Sequence, residues 1–182
     1  ESILAGIDQV PAETVFVLPN NGNIIMAAQQ CQGLTEKNVV VIPSKTVPQG
    51  ITAMMNADFE CGDPQEMAQA MTASLATVST AQITYAARDS DFDGFAINEG
   101  DYLALLDGKL FGTERDITSL LTRLAALAAE REAAFVTLFY GEGVSQEEAE
   151  AAQALFTEAC PETEVSLLSG GQPVYYYTIS IE

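Results

Sequence analysis

Histidine is absent from this 182-residue sequence, and Lys plus Arg number only 7 against 26 Asp plus Glu. Without imidazole the chain lacks the commonest general base, the commonest metal ligand and the usual partner of a nucleophilic Ser or Cys. Catalysis would have to come from carboxylates, Lys, Tyr, Ser or Cys. With a formal net charge of −19 the chain has too few cations to neutralise nucleic-acid phosphates, so no nucleic-acid partner is expected, and an anionic membrane surface repels it. The three cysteines, Cys31, Cys61 and Cys160, are odd in number and widely spaced and form no C-x-x-C. Neither a disulfide framework nor a zinc site is legible, and they read as reduced, mostly buried thiols of a cytoplasmic protein. No apolar run approaches the roughly 18 residues of a membrane span and no signal-like segment opens the chain, so no stable membrane insertion is expected. The first residue is Glu1 rather than Met, which reads as a piece of a longer protein.

What is present is a folded composition: 48% hydrophobic residues and 18% charged suffice for one sizeable core or two small ones. Ser2 caps a short helix carrying Ile3, Leu4, Ile7 and Val10, which Pro11 stops. The continuous runs 14–18 and 39–42 are apolar on both faces, as buried strands of a parallel sheet are. Helices are expected over 24–32 and 47–55, and a third follows Asp63 as N-cap and Pro64 as first residue, with Met67, Ala70, Met71 and Leu75 inward. A third strand over 83–87 would complete the first α/β lobe, 1–87. Beyond Arg88 the style changes. Asp107-Gly108 is a type I′ hairpin signal between strands 101–106 and 109–112. A helix with Ile117, Leu120, Leu121, Leu124 and Ala128 on one face precedes a strand over 135–140. Ser145 and Glu148 form a capping box before a helix with Ala149, Ala152, Leu155, Phe156 and Ala159 on one side. Strands over 164–168 and 174–181 close the second lobe, 88–182. The expected fold class is α/β: two closely packed lobes, the first a parallel sheet with flanking helices, the second a mixed sheet with a β-hairpin and helices.

The segment Asp89-Ser90-Asp91-Phe92-Asp93-Gly94 matches the first half of an EF-hand loop. Position 12, where the bidentate Glu belongs, is Gly100, and both flanks read as strands, so an acidic turn is favoured and no metal ligand is assigned. Asn20-Asn21-Gly22-Asn23 and Ser44-Lys45-Thr46 follow the parallel strands at the carboxyl edge, where α/β sheets hold ligands. Asn20, Asn21, Asn23, Lys45, Thr46 and Gln49 either meet an anion or a partner there, or serve as turn and cap residues. Gly170-Gly171-Gln172 before Pro173 admits either close approach of a ligand or a tight turn. Arg88, directly after a strand, either contacts a partner or pairs with Asp89 or Asp91. Tyr175, Tyr176 and Tyr177 alternate faces if they are in a strand. No catalytic triad, P-loop or G-x-G-x-x-G can be assembled, and no catalytic residue is assigned.

The blocks VFVLPNNGNIIMAAQQ, VVVIPSKTVPQGITAMM, ITYAARDSDFDGFAINEGDYLALLDGKL and GGQPVYYYTISIE, in order over nearly the whole chain, resemble the C-terminal region of the fatty acid kinase A subunit, a dihydroxyacetone-kinase-like family. The resemblance implies a DegV-related fold for both lobes. It implies that ATP and magnesium belong to an N-terminal kinase domain outside this chain, which needs no cofactor of its own, and that the parent protein dimerises through that domain. It further implies a non-catalytic module docking a DegV-like fatty-acid-binding subunit, which presents the acyl carboxylate for phosphorylation. The alternatives are a small-molecule or lipid-binding domain and a dihydroxyacetone-kinase-like enzyme domain.

Overall fold

The computed structural model describes residues 2–92 and 94–182; Glu1 and Asp93, the third carboxylate of the EF-hand-like turn, lie outside the described residues. The chain divides into two compact units, Glu1–Val78 and Ser79–Glu182.

The first unit runs α1 (Ser2–Gln9), β1 (Thr14–Val17), α2 (Ile25–Gln30) with a 3-10 turn at Cys31–Gly33, β2 (Asn38–Val41), α3 (Val47–Met55) and α4 (Pro64–Ser74), which tightens into a second 3-10 turn. β1 and β2 are parallel, with Val15 opposite Val39 and Val17 opposite Val41. Their alternating residues feed two clusters. Val15 and Val39 pack with Ile7 of α1 and Cys31, while Val40 and Ile42 pack with Ala53 of α3 and Met67, Met71 and Leu75. Burial on both faces is why these runs are continuously apolar. Asp63 caps α4, accepting the Gln65 N–H at 2.8 Å, with Pro64 in the first turn. Ala70, expected inward, is exposed.

The second unit holds a six-stranded sheet in the order β7-β6-β3-β10-β8-β9. Its strands are β3 (Ser79–Tyr85), β6 (Tyr102–Leu106), β7 (Lys109–Glu114), β8 (Phe135–Tyr140), β9 (Glu164–Ser169) and β10 (Tyr177–Ile181); β4 (Ser90–Phe92) and β5 (Phe95–Ile97) form a separate hairpin. β8 and β9 are parallel, joined through α6 (Gln146–Ala159), and the other pairings are antiparallel. α5 (Ile117–Glu130) and α6 cover one face of the sheet, where Leu120, Leu124, Phe156, Ile83, Leu138 and Ile179 form the larger core.

The expected lobe boundary at 87/88 is corrected to 78/79. β3 is not a third strand of the first layer but a central strand of the second sheet, with Ile83 opposite Tyr177 on β10 and Ala104 on β6. Its own pattern carries the reason: Ala81 and Ile83 enter the core while Gln82 and Thr84 are only part-buried, the alternation of an antiparallel strand rather than the both-sided burial of β1 and β2. The Asp107-Gly108 turn forms as expected, both residues at positive φ, 52° and 80°. Asp101 is not a strand residue. It is buried, pairs with Arg115 at 3.0 Å and accepts the Asn98 backbone N–H at 3.0 Å, fixing the turn before β6. Of the three consecutive tyrosines only Tyr177 lies in β10, and Ala159, expected on the buried side of α6, is exposed.

Candidate functional site

The carboxyl edge of β1 and β2 brings two of the sequence motifs together. Asn20 adopts a left-handed conformation (φ 55°) after Pro19, a backbone that Asn tolerates better than most residues. Its N–H donates to the Ser44 hydroxyl at 3.0 Å, and that hydroxyl donates back to Asn20 Oδ1 at 2.8 Å. Ser44 is fully buried, so this reciprocal pair satisfies a polar group that would otherwise be costly. The Asn20 amide also rests against Gly50 of α3, where an added Cβ would lie 2.0 Å from Asn20 Oδ1. Only glycine leaves that space.

At the start of α3, Thr46 is the N-cap, its hydroxyl accepting the Gln49 N–H at 3.3 Å. The Gln49 side chain then bridges two segments, accepting the Lys45 N–H at 2.8 Å and donating to the Leu75 carbonyl at 3.2 Å. Lys45 itself is exposed, with its stem beside Gly22; no described residue takes a hydrogen bond or ion pair from its ammonium. Asn21 Oδ1 accepts the Asn23 N–H at 2.9 Å, an Asx turn that shapes the loop. Asn20, Thr46 and Gln49 are thus committed to holding the edge together, and Lys45 is left to face solvent.

Beside this edge lies a feature that the sequence reading missed. α3 buries Pro48, Gly50 and Ala53 and exposes Val47, Ile51, Met54 and Met55, the last 81% accessible. An open cavity of about 400 Å³ lies among Leu18, Asn20, Gly50, Ile51, Met54 and Met55. The signal was in VPQGITAMM: small residues at one helical spacing and large apolar ones at another, a helix apolar on both sides whose larger side remains uncovered.

The other candidate residues lie in the second unit. Arg88 is exposed and, among the described residues, pairs with neither Asp89 nor Asp91. Those carboxylates serve their own turn: Asp89 accepts the Glu99 N–H at 2.7 Å and Asp91 the Gly94 N–H at 3.0 Å. The Gly170-Gly171-Gln172 segment folds back on β8. Gln172 donates to the Phe139 carbonyl at 2.9 Å and accepts the Glu142 N–H on its own carbonyl at 3.1 Å. A Cβ on Gly170 would strike Gln172 Oε1, and Gly171 has φ 60°. This turn is held by the Gln172 side chain and by backbone bonds to Tyr140 and Glu142. Among the described residues no group of three potential metal-ligating side chains occurs, and no helix is long and apolar enough to cross a membrane.

A parallel pair with flanking helices, followed by a mixed sheet under two helices, is the arrangement of a DegV-like α/β protein. A DegV family protein of Corynebacterium glutamicum superposes with a TM-score of 0.69 at 16% identity, over 99% of this chain and 78% of that one. The fatty acid kinase B3 protein of Streptococcus pneumoniae, solved loaded with linoleic acid, gives 0.68 at 12% identity, over 98% and 74%. Residues 1–182 match the FakA-like C-terminal family, the C-terminal part of proteins like the fatty acid kinase A subunit, and the chain belongs to that family. Protein YloV of Bacillus subtilis is 39% identical over 186 residues, covering all of this chain and 33% of YloV. The chain therefore spans about a third of the length of that relative.

Proposed function

We propose that this fatty acid kinase-related module is the non-catalytic recognition part of an ATP-binding subunit, and that it docks a DegV-like fatty-acid-binding partner. The acyl carboxylate is then phosphorylated by a separate kinase domain of the same longer protein, where ATP and magnesium are held. The single observation that carries the reading is the uncovered apolar side of α3, Val47, Ile51, Met54 and Met55, next to the exposed Lys45. Methionine-rich apolar surface beside a fixed polar edge suits an adaptable protein contact. In a chain of net charge −19, a cation held at that edge supplies the local sign needed to receive an acidic or phosphate-bearing surface. Family membership and a length one third that of YloV support a module acting within a larger protein.

The test uses three variants of this chain and the fatty-acid-loaded DegV-like partner. Ile51→Asp, Lys45→Glu and Arg88→Glu alter exposed side chains, so their melting temperatures are expected to stay within a few degrees of wild type. Ile51→Asp and Lys45→Glu are expected to weaken partner binding by about tenfold or more, and Arg88→Glu to weaken it through the lost cation. Unchanged affinity in both Ile51→Asp and Lys45→Glu would place docking elsewhere and remove this surface from the account.

A further inference from the structure

The second unit contains a cavity that the docking reading does not use. It has a volume of about 360 Å³, within the roughly 300–1,000 Å³ of small-ligand pockets. It opens where the first halves of α5 and α6 meet the sheet, and the cause is side-chain size. α6 presents Ala151 and Ala152 and the preceding loop presents Gly143, so the space between Ile117 and Leu121 on one side and Leu155 on the other is left unfilled. At protein packing density it has room for an aliphatic chain on the order of ten carbons.

Its polar side chains are four hydroxyls and one carboxylate. Tyr102, Tyr176 and Thr118 line it with hydroxyls that have no hydrogen-bond partner among the described residues, while the Tyr177 hydroxyl donates to the Glu148 carbonyl at 3.3 Å. The Tyr102 and Tyr176 rings stack edge to face at 5.7 Å, which holds that wall rigid. The one charged residue in the lining is Glu148. Its Oε2 accepts both the Ser145 N–H and the Ser145 hydroxyl at 2.9 Å, so the helix cap orients the carboxylate at the solvent-exposed mouth of the cavity. No Lys or Arg lines the cavity. A ligand carboxylate would meet a fixed negative charge with no counter-ion, whereas a hydroxyl can donate to Glu148 and accept from a tyrosine or threonine.

We propose that this cavity binds an uncharged aliphatic molecule with a hydroxyl head group, and discriminates against the free carboxylate of the same chain length. Apolar contact supplies the affinity and Glu148 supplies the selection. Because the cavity lies wholly within the second unit, the proposal stands apart from the docking surface on α3.

The experiment follows the methyl signals of Ile117, Leu121, Val144 and Leu155 in the 182-residue chain during titration with 1-nonanol and with nonanoate. Nonanol is expected to shift those four residues saturably, with each methylene from hexanol to nonanol tightening binding about fourfold. Nonanoate is expected to bind about threefold to fivefold more weakly, the repulsion from the exposed Glu148 being screened by water. Glu148→Gln keeps a capping-box residue and removes the charge; it is expected to bring the two affinities to within about 1.5-fold. Ala151→Phe, at an exposed lining position, is expected to fill the space and weaken nonanol by about tenfold or more. Nonanoate binding wild type as tightly as nonanol, a preference unchanged in Glu148→Gln, or absence of saturable shifts at the four methyl-bearing residues would each overturn the proposal.

Discussion

Asn20 carries more of the first unit's edge than its place in a turn motif suggests. Its left-handed backbone, its exchange of hydrogen bonds with the buried Ser44 and its contact with Gly50 depend on one another. Gly50→Ala forces the Asn20 amide out and leaves Ser44 without its acceptor. After the roughly 1 kcal/mol that Ala gains over Gly in a helix, a net loss of about 1–2 kcal/mol is expected in urea unfolding. Asn20→Gly in the same chain relieves the clash, so the double variant is expected to be less destabilised than the sum of the singles. Turn chemistry made Asn20, Asn21 and Thr46 visible in the sequence; the embrace of Ser44 and Gly50 was not, because it joins residues 24 and 30 positions apart. Titration belongs to this scale too. The backbone N–H and then the hydroxyl of Ser145 hold Glu148 below its ordinary value, and Ser119, through its hydroxyl and then its N–H, does the same for Asp116. Both carboxyls ionise more readily in the folded chain than in the unfolded one. Their contribution to stability is complete above the ordinary carboxylate range and is lost as pH falls through the lowered folded values. The acid limb of a melting-temperature profile is expected to be shallower in Glu148→Gln. Tyr177 behaves oppositely: burial, and then the Glu148 charge, push it up to about 12. Its contribution is complete below about pH 10, the ordinary phenol value, and is lost as pH rises through its folded value. Tyr177→Phe is expected to flatten the alkaline limb.

Helix termini were the most legible elements, because a cap is a local bond between residues two or three apart. The Ser145–Glu148 capping box and the Asp63 and Thr46 caps form where the sequence places them. Ser145→Ala is expected to cost about 0.5–2 kcal/mol, read by thermal unfolding. Phe156→Ala, which empties the largest fully buried side chain of the α6 core, is expected to cost about 3–5 kcal/mol in the same measurement. Most strands were legible, though β4 (Ser90–Phe92) was read as part of an acidic turn; partnership was legible for the β6–β7 hairpin and the parallel β1–β2 pair and not for β3. β3 has three core residues or fewer on either face, and its assignment depends on β10, nearly a hundred residues downstream; no periodicity within 79–85 encodes that pairing. α3 was legible as a helix over 47–55, yet its apolar residues on both sides gave no sign of which side packs. Pro48, Gly50 and Ala53 are buried, Gly50 against the Asn20 amide and Ala53 in the cluster with Met67 and Met71 of α4, leaving Val47, Ile51, Met54 and Met55 outside.

At the scale of the molecule, family membership and the DegV-like fold agree with each other. Together with the bare apolar side of α3 they favour a module that works by contact with another protein. The absence of histidine and the scarcity of cations were legible in the sequence, whereas the two cavities arise from Gly and Ala facing larger residues and could only be seen once the helices were placed. Calorimetric titration of the 182-residue chain, at several temperatures, with the fatty-acid-loaded DegV-like partner tests the central claim most directly. The account predicts saturable one-to-one binding, micromolar or tighter on the order of magnitude of specific contacts, with a negative heat-capacity change from the burial of the α3 apolar surface. Absence of saturable heat at every temperature, from a chain that remains folded by circular dichroism, would contradict it.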